Sequence, residues 1–196
     1  VLFLFVPMAF AVQTAPQEKR QIRQQRVLGL VVIGLPLCLT LLWPGRSLSR
    51  AYSNLGAVHQ SREELSLYSW PEWSIQDEVR RSVDLSRSMT EFEQALVLNP
   101  GNATASRRLG MIELSLGQYE DALAHLEAAH AAEPNVTTTR QLLGEALIVN
   151  ARSEEGQALW ADVNREQGQL GLRVAWYQHI GETERAAWIQ QAANSQ

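Results

Sequence analysis

The feature that most constrains this chain is a self-similarity at an offset of 34 residues. Phe92, Ala95 and Pro100 are followed, 34 positions on, by Leu126, Ala129 and Pro134, and the pair Leu109 and Gly110 returns as Leu143 and Gly144. A period of this size, carried by large apolar, small and turn-forming residues, is the mark of stacked supersecondary units, none of which buries its apolar face alone. The residue types specify a helical hairpin. Gly110 lets two helices approach closely, Gly117 reverses the chain, and Pro134 ends the second helix.

The stretch RLGMIELSLGQYEDALAHLEAAHAAEP carries Leu109, Gly110, Gly117, Tyr119, Ala122, Leu126, Ala129 and Pro134 in one unit. It resembles a tetratricopeptide repeat. The resemblance implies an all-α fold, a right-handed solenoid of helical hairpins, in which Glu113 stands where the family prefers an aromatic or large apolar residue. The next unit, from Thr137, is a looser copy, with Ala151 and Gly156 at the turn and small positions and Trp160 at the bulky one. A shortened unit follows, with Gly181 and Ala186 in those places and Trp176, Tyr177 and Trp188 supplying bulk, as expected of a terminal cap. Upstream, SMTEFEQALVLNP reads as the second helix of an earlier repeat. WPEWSIQDEVRRS is its irregular first helix, while AYSNLGAVHQSREEL, with Leu55 and Gly56, also looks like a first helix with an insertion after it. Three to four repeats fit, over residues 92–196 with a degenerate unit and linker in 46–91.

The N-terminal part has a different solvent. Residues 27–43, VLGLVVIGLPLCLTLLW, carry no charge and with Pro44 and Gly45 approach the length that crosses a bilayer; we expect a transmembrane helix over 27–45. Trp43 suits the interfacial belt. The opening run, residues 1–12, would span only about 18 Å as a helix and reads as the end of a longer hydrophobic one, the rival being the end of a signal peptide. Between the two lies a basic loop, residues 13–26, in which Lys19, Arg20, Arg23 and Arg26 oppose only Glu18. The positive-inside rule makes this loop cytoplasmic and everything after Trp43 extracytoplasmic, so the expected location is integral to a bacterial plasma membrane.

Composition narrows the function classes. With 17 basic and 21 acidic residues and a net charge of -4, there is no broad cationic surface for nucleic acid. The one cysteine, Cys38, cannot form an intramolecular disulfide. His59, His125, His130 and His179 show no metal-ligand spacing; His125 and His130 point about 140° apart on a helix. The acidic pairs Glu63 and Glu64, Glu120 and Asp121, and Glu154 and Glu155 read as solvated faces, and no nucleophile elbow is present. We expect no catalytic residue, cofactor or metal. Asn102 and Asn135 match the glycosylation acceptor pattern, but both stand at repeat boundaries, where a cap or turn role is favoured.

What remains is binding. In the family resembled, the inner groove is lined by first helices, which places Thr104, Arg107, Met111, Thr138, Gln141 and Glu145 towards a protein or peptide partner. Met111 and Glu145 replace two positions of the clamp some relatives use for a peptide carboxylate. Trp70 and Trp73 flank a proline and could stack on a glycan or meet the membrane interface, or else fill the gap beside an irregular unit. The expected function is a membrane-anchored scaffold for protein–protein interaction. The alternative is the non-catalytic tail of an O-antigen ligase or polymerase-like membrane protein, which the order of hydrophobic segment, basic loop, spanning helix and repeat array resembles.

Overall fold

The computed structural model describes residues 44–67, 75–161 and 167–194, the last range without side chains for 167–170. The chain divides into two compact units, Val1–Ser47 and Leu48–Gln196. Of the first, only Pro44–Ser47 is described, as the opening turn of a helix. The expected spanning segment 27–43 and the runs 1–12 and 13–26 lie outside the described residues, as do Trp70 and Trp73. Among the described residues no helix is long and apolar enough to cross a membrane.

Every regular element described is a helix: α1 (Pro44–Ser66), α2 (Gln76–Ser82), α3 (Ser86–Leu98), α4 (Ala103–Leu116), α5 (Tyr119–Ala132), α6 (Thr137–Val149), α7 (Ser153–Ala161), α8 (Gln167–His179) and α9 (Thr183–Asn194). Helices α4 and α5, α6 and α7, and α8 and α9 pack as hairpins, and α5 packs on α6 to stack one hairpin on the next. The period predicted from the sequence is therefore structural: α4 and α6 start 34 residues apart, as do α5 and α7.

Two devices repeat with it. The first is close approach. A Cβ on Gly110 would lie 2.5 Å from Leu126 Cγ, one on Gly144 would overlap the Trp160 indole, and one on Gly56 would lie 2.8 Å from the Phe92 ring. The second is the turn. Gly117 takes φ 82°, and the Gln118 N–H donates to the Glu113 carbonyl at 2.9 Å, closing a Schellman motif. The same bond recurs from Arg152 to Leu147 and from Glu182 to Tyr177, each at 2.8 Å. The left-handed residue is Ala151 (φ 63°) in one case and Gly181 (φ 83°) in the other. The described residues form an all-α array of stacked helical hairpins.

The first hairpin corrects one expectation. The partner of α3 is α1, because Gly56 admits Phe92 and the Ser49 hydroxyl donates to the Ala95 carbonyl at 2.7 Å. The segment QDEVRRS forms α2 but is not the first helix of a hairpin; it packs on α4 instead. It is seven residues long and has no glycine to let α3 approach. Leu55 is 42% exposed, whereas its counterparts Leu109 and Leu143 are buried at 0% and 4%, since α1 has no preceding second helix among the described residues to cover it. Two apolar clusters hold the array, one around Phe92, Leu109 and Ile112, the other running from Leu114 and Leu126 through Leu143 and Trp160 to Trp176 and Ile189.

Candidate functional site

Successive first helices α4, α6 and α8 leave one face uncovered by their hairpin partners, and α2 lies across it. Beside α2 is a cleft of about 260 Å³, lined by Gln76, Asp77 and Arg80 from α2, Met111 and Leu114 from α4, Thr138, Gln141, Leu142 and Glu145 from α6, and by Trp160 and Arg173. Four of the six groove residues read from the sequence, Met111, Thr138, Gln141 and Glu145, meet there. Thr104 and Arg107 are not part of its lining. Arg107 turns to the boundary between repeats, donating to the Thr139 hydroxyl at 3.3 Å and standing 3.9 Å from Glu133.

The polar floor is a chain of paired charges. Arg173 on α8 donates to Asp77 Oδ2 at 2.6 Å and to Glu145 Oε1 through Nε at 2.9 Å, with a second, shorter contact through Nη2. The Tyr177 hydroxyl donates to the same Glu145 oxygen at 2.7 Å. Ser115 on α4 donates to Asp77 Oδ1 at 2.8 Å. Arg80 donates to Glu64 on α1 at 3.0 Å and to Gln76 at 3.1 Å, and the Gln60 amide donates to the same Glu64 oxygen at 2.8 Å. Arg108 completes the series with a 2.8 Å bond to Gln60.

The electrostatics follow from that geometry. Burial opposes ionisation of Asp77, but Arg173, Ser115 and Arg80 outweigh it and hold the carboxyl below the usual range. For Arg173, burial likewise disfavours the cation, yet Glu145 and Asp77 keep it firmly protonated. Burial and the Glu145 carboxylate push the Tyr177 phenol well above its ordinary value, so it acts as a neutral hydrogen-bond donor. The Asp77 and Arg173 shifts come from mutual pairing, which is as characteristic of structural ion networks as of reacting groups.

Sequence reading missed Asp77, Arg80, Ser115, Arg173 and Tyr177. Asp77 and Arg173 are 96 residues apart, a separation no local spacing encodes. The one signal available was an acid and an arginine three apart in a segment outside the period, at Asp77 and Arg80. Of the two acceptor-pattern asparagines, Asn102 caps α4, accepting from the Ala105 N–H at 3.1 Å and donating to Ser49 Oγ at 2.8 Å. Asn135 occupies the exposed turn before α6. Among the described residues no cluster of metal-ligating side chains occurs.

No family model matches the chain, and no curated protein matches it either. Solved structures of MamA align with it. MamA AMB-1 is 18% identical, with a TM-score of 0.42, covering 75% of this chain and 90% of that one. MamA RS-1, as the ArsTM double mutant, is 24% identical, with a TM-score of 0.42 and coverage of 75% and 93%. MamA MSR-1 is 19% identical, with a TM-score of 0.41 and coverage of 80% and 94%.

Proposed function

We propose that this chain is a membrane-anchored scaffold whose first-helix face binds a segment of a partner protein. The observation that carries the reading is the cleft beside α2: an open site of about 260 Å³ that combines apolar walls (Met111, Leu114, Leu142) with exposed edges of polar side chains (Thr138, Gln141). A site of that composition suits side chains of a peptide segment, with apolar contact supplying affinity and few polar groups fixing orientation. The anchor is residues 27–43, whose uncharged apolar run is the support for membrane attachment and for an extracytoplasmic repeat array.

The test is capture of partners by the detergent-solubilised full chain, followed by titration of whatever is recovered against Met111→Asp and Leu142→Asp proteins. A charge on the cleft wall should weaken binding by about tenfold or more, since each costs at least one desolvated contact worth about 1.4 kcal/mol. Capture that is not saturable, or that is indifferent to both substitutions, refutes the reading. Alkaline extraction of membranes tests the anchor separately: release of the chain into the soluble fraction would exclude it. The tail of a glycan-ligating membrane protein is supported only by the order of segments in the sequence, and the reading frame upstream of Val1 decides it.

A further inference from the structure

We propose that α2 is an exchangeable resident of this groove, and that the partner segment replacing it is a short helix presenting a carboxylate to Arg173 and Ser115 and a cation to Glu64. The inference deepens the binding role above and rests on it.

The way α2 is held distinguishes it from every hairpin. It has seven residues, far fewer than the roughly 12 to 15 at which an isolated helix becomes marginally stable. Its only buried apolar side chain is Val79, and the neighbouring Ile75 is 41% exposed. The hairpins interlock through Phe92, Leu109, Leu126, Trp160 and Ile189, all nearly or fully buried. What holds α2 is chiefly ionic: Asp77 to Arg173 and Ser115, and Arg80 to Glu64. Partly buried pairs of this kind lose in desolvation much of what they gain in attraction. At its edge, Glu78 meets His179 at 3.4 Å, an exposed pair that adds little.

The three groove residues that Asp77 and Arg80 engage, Arg173, Ser115 and Glu64, each have a second partner that stays when α2 leaves. Arg173 keeps Glu145 at 2.9 Å, Ser115 keeps the Met111 carbonyl at 3.1 Å, and Glu64 keeps Gln60 at 2.8 Å. On α2 itself, Asp77 and Arg80 already stand 3.9 Å apart and pair with each other in water. Release therefore leaves Arg173, Ser115 and Glu64 each with a hydrogen-bond partner. An element held by ion pairs, each with a fallback, has two arrangements of similar free energy, which is what a switchable segment requires. The chemistry of the replacement is read from α2: acid and arginine three apart on a helix, with a β-branched apolar residue between them.

Hydrogen exchange on the full chain tests the resident without reference to any partner. The Val79 and Val83 amides, bonded within α2's own turns at 3.2 and 3.1 Å, should exchange at least about tenfold faster than the central amides of α4 and α6, and faster again in Asp77→Asn. Exchange of α2 in step with α4 and α6 overturns the proposal, whatever partner capture shows. A labelled peptide of residues 75–83 tests the recognition chemistry. The Asp77→Arg chain, with its own α2 repelled from Arg173, should bind the peptide at least about tenfold more tightly than wild type, the factor a resident present more than nine-tenths of the time imposes. Adding Arg173→Ala should abolish that gain. Equal binding by wild type and Asp77→Arg, or none by the variant up to millimolar peptide although exchange shows α2 released, overturns the carboxylate-recognition claim. If Asp77→Arg does not fold, the exchange comparison on wild type decides alone.

Discussion

The same substitution, glycine to alanine in a helix, should have opposite signs at Gly110 and Gly171. At Gly110 the new Cβ would lie 2.5 Å from Leu126 Cγ and 3.1 Å from the Ala122 carbonyl oxygen. Carbon atoms rest at about 3.5 to 4.0 Å, so Leu126 must yield by about 1 Å. It has nowhere to go, being fully buried, and the carbonyl belongs to the α5 backbone. Overpacking of that kind costs about 2 to 3 kcal/mol, towards the top of the usual range. Alanine returns about 1 kcal/mol in helix propensity. The net is a loss of about 1 to 2 kcal/mol. At Gly171, within α8, a Cβ meets nothing within 4 Å, so only the gain of about 1 kcal/mol remains.

Thermal melting of the full chain, followed by circular dichroism at 222 nm, separates the two. With about 2 to 4 °C per kcal/mol for a chain of this size, Gly110→Ala should lower the midpoint by about 2 to 8 °C and Gly171→Ala should raise it by about 2 to 4 °C. Two shifts of the same sign and size would show that helix propensity, not the approach of α5 to α4, governs Gly110, and the packing account of the repeat would fall.

The remaining predictions concern the turns and one histidine. Ala151 occupies the left-handed position that glycine fills at Gly117 and Gly181, so Ala151→Gly should stabilise by about 1 kcal/mol and Gly117→Ala destabilise by about as much, both measured by denaturant midpoint. His125 lies 2.8 Å from Glu113, whose hydrogen bond raises the imidazole above its ordinary value of 6.5 against the opposing effect of burial. A raised folded value gives stability that is full below pH 6.5 and lost as pH rises through that higher value. The melting midpoint should therefore fall as pH increases above 6.5, and less steeply in His125→Gln; equal slopes in the two proteins would remove the pair as the cause.

What the sequence disclosed, and what it withheld, divides along the range of the interactions. Leu109, Gly110, Gly117 and Leu126 are legible because a hairpin is local: the close approach and the turn fall within seventeen residues and recur. Glu113 stands where the family resembled prefers a large apolar residue, yet it is 4% exposed and satisfied by His125, a partner twelve positions on across the same hairpin. The sign of that substitution was visible, its compensation was not. The first hairpin was harder, because α2 interrupts the offset between Gly56 and Phe92 and so hides their equivalence to Gly110 and Leu126. Arg173 was illegible altogether. It belongs to the shortened unit, out of register with the longer period, and its meaning depends on Asp77 arriving from α2, the segment inserted between α1 and α3.

That arrival also sets how the groove can recognise anything. Asp77, Glu64 and Glu145 are matched by Arg80, Arg173 and, through Gln60, Arg108, so the site presents no surplus of either sign to draw a partner by long-range attraction. In the exchange proposed above, a partner's carboxylate takes the place of Asp77 on Arg173, and its cation the place of Arg80 on Glu64. Since both sides of the exchange have the same charges, the Coulomb terms nearly cancel. The difference that remains is set by apolar contact in the adjoining cleft, where Met111, Leu114 and Leu142 face space that α2 leaves open. On the proposed exchange, ion pairing in this groove would fix register and orientation, while the side chain that enters the cleft would determine affinity.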